Sequence, residues 1–305
     1  MLRGKSLERL VVIGAGIMGT RICRHFLRAG HAVALVEPCP EAVEQAQESL
    51  RRDGFDPAVA ERLDALAADW RGADLVIEAV PEKLDLKRAV IAGLEAYFGP
   101  ETLIASNTSG LRTADLTLGM QHPERFLIAH FFNPADLVPA VELIPGPATL
   151  PGVMDRVAAL LEASGKKPAR LKSDIPGFIA NRLQHAMLRE CFHLIDSGVA
   201  DAETIDLVTR YSLGVRLALI GPLLQRDLNG LDTHLNIAAY LYPDLDARQT
   251  PPEGLAAKVR DGDLGRKSGR GFYVWDGDMR ARMDTLERLL PEVIALSTQA
   301  DTKDI

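Results

Sequence analysis

Four residues able to do acid–base and hydrogen-bond chemistry stand out in this chain of 305 residues: Ser109 in the run SNTSG (106–110), His130 ahead of Asn133-Pro134, Glu142, and Asn181. A lone histidine in an apolar, extended run is more often a core residue satisfied by a backbone carbonyl. Its company shifts the balance. Ser109, His130 and Glu142 all fall near strand ends on the same edge of a sheet, and Asn181 comes early in the first helix that follows. The oxidation of an alcohol needs this set: a base for the hydroxyl proton, a carboxylate that orients and polarises the base, and neutral groups that hold the oxygen.

The elements that must position these residues begin with a buried-strand pattern over 7–13. It ends in the glycine run Gly14-Ala15-Gly16-Ile17-Met18-Gly19, and helical spacing follows over 20–29. A second strand (32–36) ends in Glu37, about 20 residues past the glycines, where a dinucleotide fold carries its ribose-binding acid. A strand–glycine turn–helix unit gives a tight turn, close approach of backbone to a pyrophosphate, and a helix N-terminus that stabilises its charge. A carboxylate at Glu37 would accept from the adenosine ribose hydroxyls and repel a 2′-phosphate, so the expected cofactor is NAD and not NADP.

A helix over 41–52 and a weakly helical stretch over 53–70 come next. Strands at 74–80, 102–106, 125–132, 140–144 and 168–171 then alternate with helices at 84–97 and 154–164. That alternation predicts an α/β fold, a doubly wound, mainly parallel sheet. After 174–177 only helical periodicity remains, over 178–197, 202–211, 221–241, 252–261 and 279–298. The chain is thus expected to divide into a cofactor domain (1–174) and an all-helical domain (175–305).

A net charge of −7 argues against nucleic acid or an anionic membrane as the main partner and favours a small-molecule substrate. The three cysteines, Cys23, Cys39 and Cys191, include no C-x-x-C pair, so no metal site is expected and reduced thiols are. No signal peptide or run of ~20 apolar residues is evident, which predicts a soluble cytoplasmic protein.

The motifs together resemble the L-3-hydroxyacyl-CoA dehydrogenases over nearly the whole chain: GAGIMG (14–19), ADLVIEAVPE (73–82), SNTSG (106–110), HFFNP (130–134), a glutamate twelve residues after the histidine, DIPGFIANR (174–182) and GRKSGRGFY (265–273). The resemblance implies a Rossmann-type NAD domain and a helical domain through which subunits form a homodimer. It implies His130 as base, Glu142 as its partner, and Ser109 and Asn181 at the reacting oxygen. It places Gly14, Gly16, Ile17, Met18, Gly19, Glu37, Ala79, Val80, Glu82, Lys87 and Asn107 near the cofactor. His185 and His193 are expected to be structural or exposed.

The chain departs from the family pattern at two places. The stretch 38–71 is about twenty residues shorter than the helical excursion that helps CoA-specific members hold CoA, and loops are where such lengths vary. The segment 214–222 resembles relatives that act on small free hydroxy acids, such as gulonate, carnitine and a pyridine carboxylate. Arg216 within it is either a bidentate clamp for a substrate carboxylate or a surface or interface ion pair. The expected function is NAD-dependent oxidation of the 3-hydroxyl of a free hydroxy acid or an acyl-CoA. The alternative is a non-catalytic NAD-binding protein, since the family resembles one from which a lens crystallin was recruited.

Overall fold

A computed structural model of the chain describes residues 9–299. The expected start of the first strand at 7–8 lies outside them. Eight strands form one sheet in the order β3-β2-β1-β4-β5-β6-β7-β8. They are β1 Arg9–Ile13, β2 Ala32–Val36, β3 Ala58–Ala60, β4 Leu75–Glu78, β5 Leu103–Ser106, β6 Phe126–Phe131, β7 Ala140–Pro145 and β8 Lys167–Arg170. All neighbours are parallel except β6 and β7. The doubly wound, mainly parallel sheet expected from the alternation is therefore present.

The continuous apolar runs follow from cover on both faces. Leu10 and Val12 of β1 pack into one core with Ile22, Phe26 and Leu50; Val11 and Ile13 pack into another with Ile91, Leu94 and Phe98. Helices α1 Ile17–Arg28 and α2 Pro40–Arg52 feed the first core, and α3 Leu84–Tyr97 feeds the second.

The weak helix expected over 53–70 is not formed. The chain makes the short edge strand β3 and two 3₁₀ turns, Leu63–Ala65 and Ala68–Gly72. Pro57 precedes β3, and the residue before a proline is steered away from helix.

The chain divides into two compact units between Arg182 and Leu183. The first also contains the short helix α4 Thr113–Leu116 and α5 Pro151–Ala163. Helix α6 Ala180–Asp196 carries the division. The second unit is helical: α7 Ala202–Val208 runs into a π-helical turn, Thr209–Gly214, and then α8 Val215–Leu217, α9 Pro222–Asn229, α10 Leu231–Leu241, α11 Glu253–Arg260 and α12 Gly277–Gln299. The single helix expected over 221–241 is two, because Gly230 takes φ 89° and ends α9 there. Among the described residues no single helix is long and apolar enough to cross a membrane.

Candidate active site

The dinucleotide segment is built by close approach. Gly14 has φ 100°, and a Cβ there would sit 2.8 Å from the Ala79 carbonyl oxygen; a Cβ on Gly19 would sit 1.8 Å from that of Gly14. Gly16, the N-cap of α1, has nothing within 4 Å of such an atom, and no side chain or first-turn acid caps the helix. The first turn of α1 thus has no side-chain cap and open space beside Gly16, which suits a phosphate at the helix N-terminus. Glu37 directly follows β2 and reaches this loop: Oε2 accepts from Ala15 N at 2.9 Å and Oε1 from Cys39 N at 2.9 Å. The donor set and the open cradle at Gly16 fit a dinucleotide.

Beside it, at the ends of β4 and β5, lies a buried ionic network. Glu78 is fully buried; Oε1 accepts from Val80 N (2.7 Å) and Lys87 Nζ (2.8 Å), and Oε2 from Ser106 Oγ (2.5 Å). Lys87 Nζ also donates to Val80 O (3.1 Å) and lies 3.3 Å from Glu82 Oε2. Glu82 Oε1 in turn accepts from Thr108 Oγ1 and from Ser109 N (3.0 Å). Burial would raise the Glu82 carboxyl, but these bonds and the Lys87 charge hold it below its usual value. Sequence reasoning named Glu82 and Lys87 but missed Glu78 and Thr108. The signal for Glu78 was a carboxylate inside the apolar run 75–80, where a charge needs a partner.

The two strands that break the parallel pattern bring His130 and Glu142 together. In the β6–β7 pairing His130 stands directly opposite Glu142. Both side chains are buried, and His130 Nδ1 lies 2.8 Å from Glu142 Oε2. A carboxylate only accepts, so Nδ1 carries the proton and Nε2 is left with a lone pair. Nε2 has no hydrogen-bond partner among the described residues. The Phe132 and Phe178 rings, centred 4.6 and 5.6 Å away, hold the imidazole from two sides.

The other Glu142 oxygen accepts from Ile179 N and Ala180 N, both at 2.9 Å, where α6 begins. A left-handed turn delivers them: Gly177 has φ 76° and buried Phe178 has φ 49°, uncommon for an aromatic residue. Burial would raise the Glu142 carboxyl, yet the bond from His130 and those from Ala180 and Ile179 outweigh it and keep the carboxyl below its ordinary value. DIPGFIANR therefore acts here through its backbone as well as through Asn181.

Asn181 Nδ2 donates to the Ser109 carbonyl oxygen at 2.8 Å, so these two expected residues are joined. Asn107 Oδ1 accepts from Phe131 N at 2.9 Å, tying the end of β5 to the end of β6 beside His130. The connection from β6 to β7 contains the cis Asn133-Pro134 bond and is pinned from outside. Lys166 Nζ donates to Ala135 O and Val138 O at 2.7 Å each, and burial lowers its ammonium to about 8. Asp136 pairs with Arg21 at 3.0 Å and with Arg24 and Arg28 at 3.6 Å, all on α1. Neither Lys166 nor Asp136 was singled out from sequence.

In the second unit Arg216 is exposed, and its Nε donates to Ser212 O at 2.8 Å. No described carboxylate lies within 4.0 Å of it. His185 is exposed, and His193 Nδ1 lies 3.3 Å from Arg248 Nη2.

Comparison with known proteins adds to this geometry. The profile described as "3-hydroxyacyl-CoA dehydrogenase, NAD binding domain" matches residues 9–175, and "3-hydroxyacyl-CoA dehydrogenase, C-terminal domain" matches 177–275. The chain is 32% identical over 288 residues to a 5-formyl-3-hydroxy-2-methylpyridine 4-carboxylate 5-dehydrogenase of Mesorhizobium japonicum, covering 88% of this chain and 91% of that one. It is 34% identical over 286 residues to a probable 3-hydroxybutyryl-CoA dehydrogenase of Bacillus subtilis, covering 89% and 98%. A solved structure of a 5-dehydrogenase for the same pyridine acid, described as an NAD⁺-dependent dismutase, superposes with a TM-score of 0.89 at 28% identity, over 98% of this chain and 100% of that one.

Proposed function

The chain belongs to the 3-hydroxyacyl-CoA dehydrogenase family, and on that premise we propose that it oxidises the 3-hydroxyl of a small free hydroxy acid, with NAD as cofactor. The observation that carries the chemistry is the His130–Glu142 pair at 2.8 Å, with the far oxygen of Glu142 held by two backbone N–H groups. His130 Nε2 takes the hydroxyl proton. Glu142, fixed as a carboxylate, stabilises the imidazolium that results and keeps the ring in the productive tautomer. Ser109 and Asn181 hold the substrate oxygen. NAD, when bound, supplies the hydride acceptor; the N-terminus of α1 with Gly14, Gly16, Ile17, Met18 and Gly19, the carboxylate of Glu37, and the strand-end residues Ala79, Val80, Glu82, Lys87 and Asn107 are the groups we assign to holding it.

The lean to a free acid rests on the short stretch 38–71, on Arg216 as a carboxylate clamp, and on the pyridine carboxylate named for one relative. We assign the cofactor role to 1–174 and the substrate and dimerisation roles to 175–305. A homodimer is supported by the many exposed apolar side chains of the second unit, and a cytoplasmic location by three free thiols.

An NADH-formation screen that sets 3-hydroxybutyryl-CoA beside free hydroxy acids tests the reading. Turnover of free acids at lower KM is expected; turnover of the thioester alone refutes the substrate class. NAD binding with no NADH from any substrate would favour the non-catalytic alternative.

A further inference from the structure

Glu78, Lys87 and Glu82 set two carboxylates against one ammonium, so the cluster at the ends of β4 and β5 carries one negative charge in excess. The excess falls on Glu82. Lys87 and Glu78 pair at 2.8 Å with side chains 1% and 0% exposed, whereas Glu82 lies 3.3 Å from the same ammonium and is 40% exposed. No other cation lies within 4.0 Å of Glu82 among the described residues. Thr108 Oγ1 and Ser109 N are neutral donors that fix the carboxylate in place without cancelling its charge.

Sheet register puts this charge beside the reacting groups. Glu78 stands next to Ser106 and Ser106 next to Ile128, while Asn107 Oδ1 accepts from Phe131 N, so Ser109 and His130 lie at the same edge. Ser109 Oγ is 3.4 Å from Glu82 Oε1. With Ser109 and His130 at the substrate oxygen, hydride leaves the carbon bonded to that oxygen, and the accepting ring must come within about 3–3.5 Å of it. The ring is thereby confined to the neighbourhood of Glu82.

Positive charge changes place in such an oxidation. A hydrogen with two electrons passes from the substrate carbon to the nicotinamide ring, and the hydroxyl proton passes to His130 Nε2. The ring loses a positive charge and the imidazole gains one. Glu142 faces the imidazole.

We propose that Glu82 discriminates the oxidised from the reduced cofactor, its uncompensated charge stabilising the ring cation of NAD⁺ and not the neutral ring of NADH. The assignment rests on the dehydrogenase reading, with Ser109 at the substrate oxygen. Glu82 and Glu142 then serve the two places that the positive charge occupies, before and after hydride transfer.

The test measures by calorimetry the Kd of NAD⁺, NADH and ADP-ribose, which lacks the ring, for the wild type and for Glu82→Gln, Glu82→Ala and Glu82→Asp. Glu82→Gln keeps an oxygen for Thr108 and Ser109 but no charge; Glu82→Ala is a second charge-free variant should the amide disturb the loop, and Glu82→Asp keeps the charge. Each charge-free variant should bind NAD⁺ about three- to tenfold more weakly, the effect of one charge at a half-exposed site, with NADH and ADP-ribose little altered. Glu82→Asp should keep the wild-type ratio of NADH to NAD⁺ affinities. An unchanged ratio in the charge-free variants overturns the proposal, as does an equal loss for ADP-ribose or a Glu82→Asp protein that behaves like Glu82→Gln, since a contact and not a charge would then be at work. A wild type that forms NADH from no substrate while the ratio still shifts refutes the dehydrogenase reading alone; turnover without the shift refutes the proposal alone.

Discussion

The two compact units handle their apolar residues in opposite ways. In the first, strand after strand is buried on both faces, from Leu10 and Val11 at 0% exposure to Ile128 and Leu143 at 0%. In the second, α7 and α10–α12 report no buried residue, while Leu235 and Tyr242 are each 71% exposed. Exposed apolar surface on this scale marks an interaction face. The first unit is thus finished as a folded body by its own chain, whereas the second carries helices whose apolar sides call for further cover. The proposed base and its carboxylate partner sit in the finished unit, where rigid strands hold His130 within hydrogen-bond distance of Glu142.

The largest effect expected from breaking the first unit is at its buried ion pair. Lys87→Met leaves the Glu78 carboxylate unpaired in the core and should cost about 3–5 kcal/mol, read from a denaturant midpoint, whereas Glu78→Gln with Lys87→Met should recover much of the loss. Equal stability of the single and double variants would mean that the pair is not held as described. In the second unit, Leu235→Asp should leave the fold of the first unit intact and shift the proposed homodimer toward monomer in sedimentation. An unchanged assembly would place the covering contact elsewhere.

A smaller effect concerns pH. The folded-state carboxyl of Glu142 is depressed, so its stabilising contribution is present above the unfolded value of about 4.3 and is lost as pH falls through the lower folded value. Glu142→Gln should therefore flatten the acid side of the stability profile below about pH 5 while slowing turnover. The smallest expected effect is on cofactor choice. Glu37→Gln should raise the kcat/KM ratio of NADP to NAD by about tenfold, the size of one charge-assisted contact.

The same contrast explains what could be read from the sequence. The strands of the first unit were legible because burial on both faces writes a continuous apolar run, and the glycines at 14, 16 and 19 because a Cβ at 14 or 19 would collide with backbone. His130, Glu142, Ser109 and Asn181 were legible as residue types in a pattern. What escaped was support that depends on three-dimensional pairing: Glu78 under the Ser109 loop, the backbone N–H groups of Ile179 and Ala180 on Glu142, and the Asp136 and Lys166 anchors. The short strand β3 escaped because three residues carry no periodicity. The break at Gly230 escaped because an isolated glycine inside a helical pattern is often tolerated.

Everything else in the proposed reaction serves His130 as the base. The direct test is single-turnover NADH formation by His130→Ala and the wild type, with NAD binding measured on the same samples. Intact NAD binding and a hydride-transfer rate lower by ~10²- to 10⁴-fold are expected. A His130→Ala protein that forms NADH at the wild-type rate would contradict it.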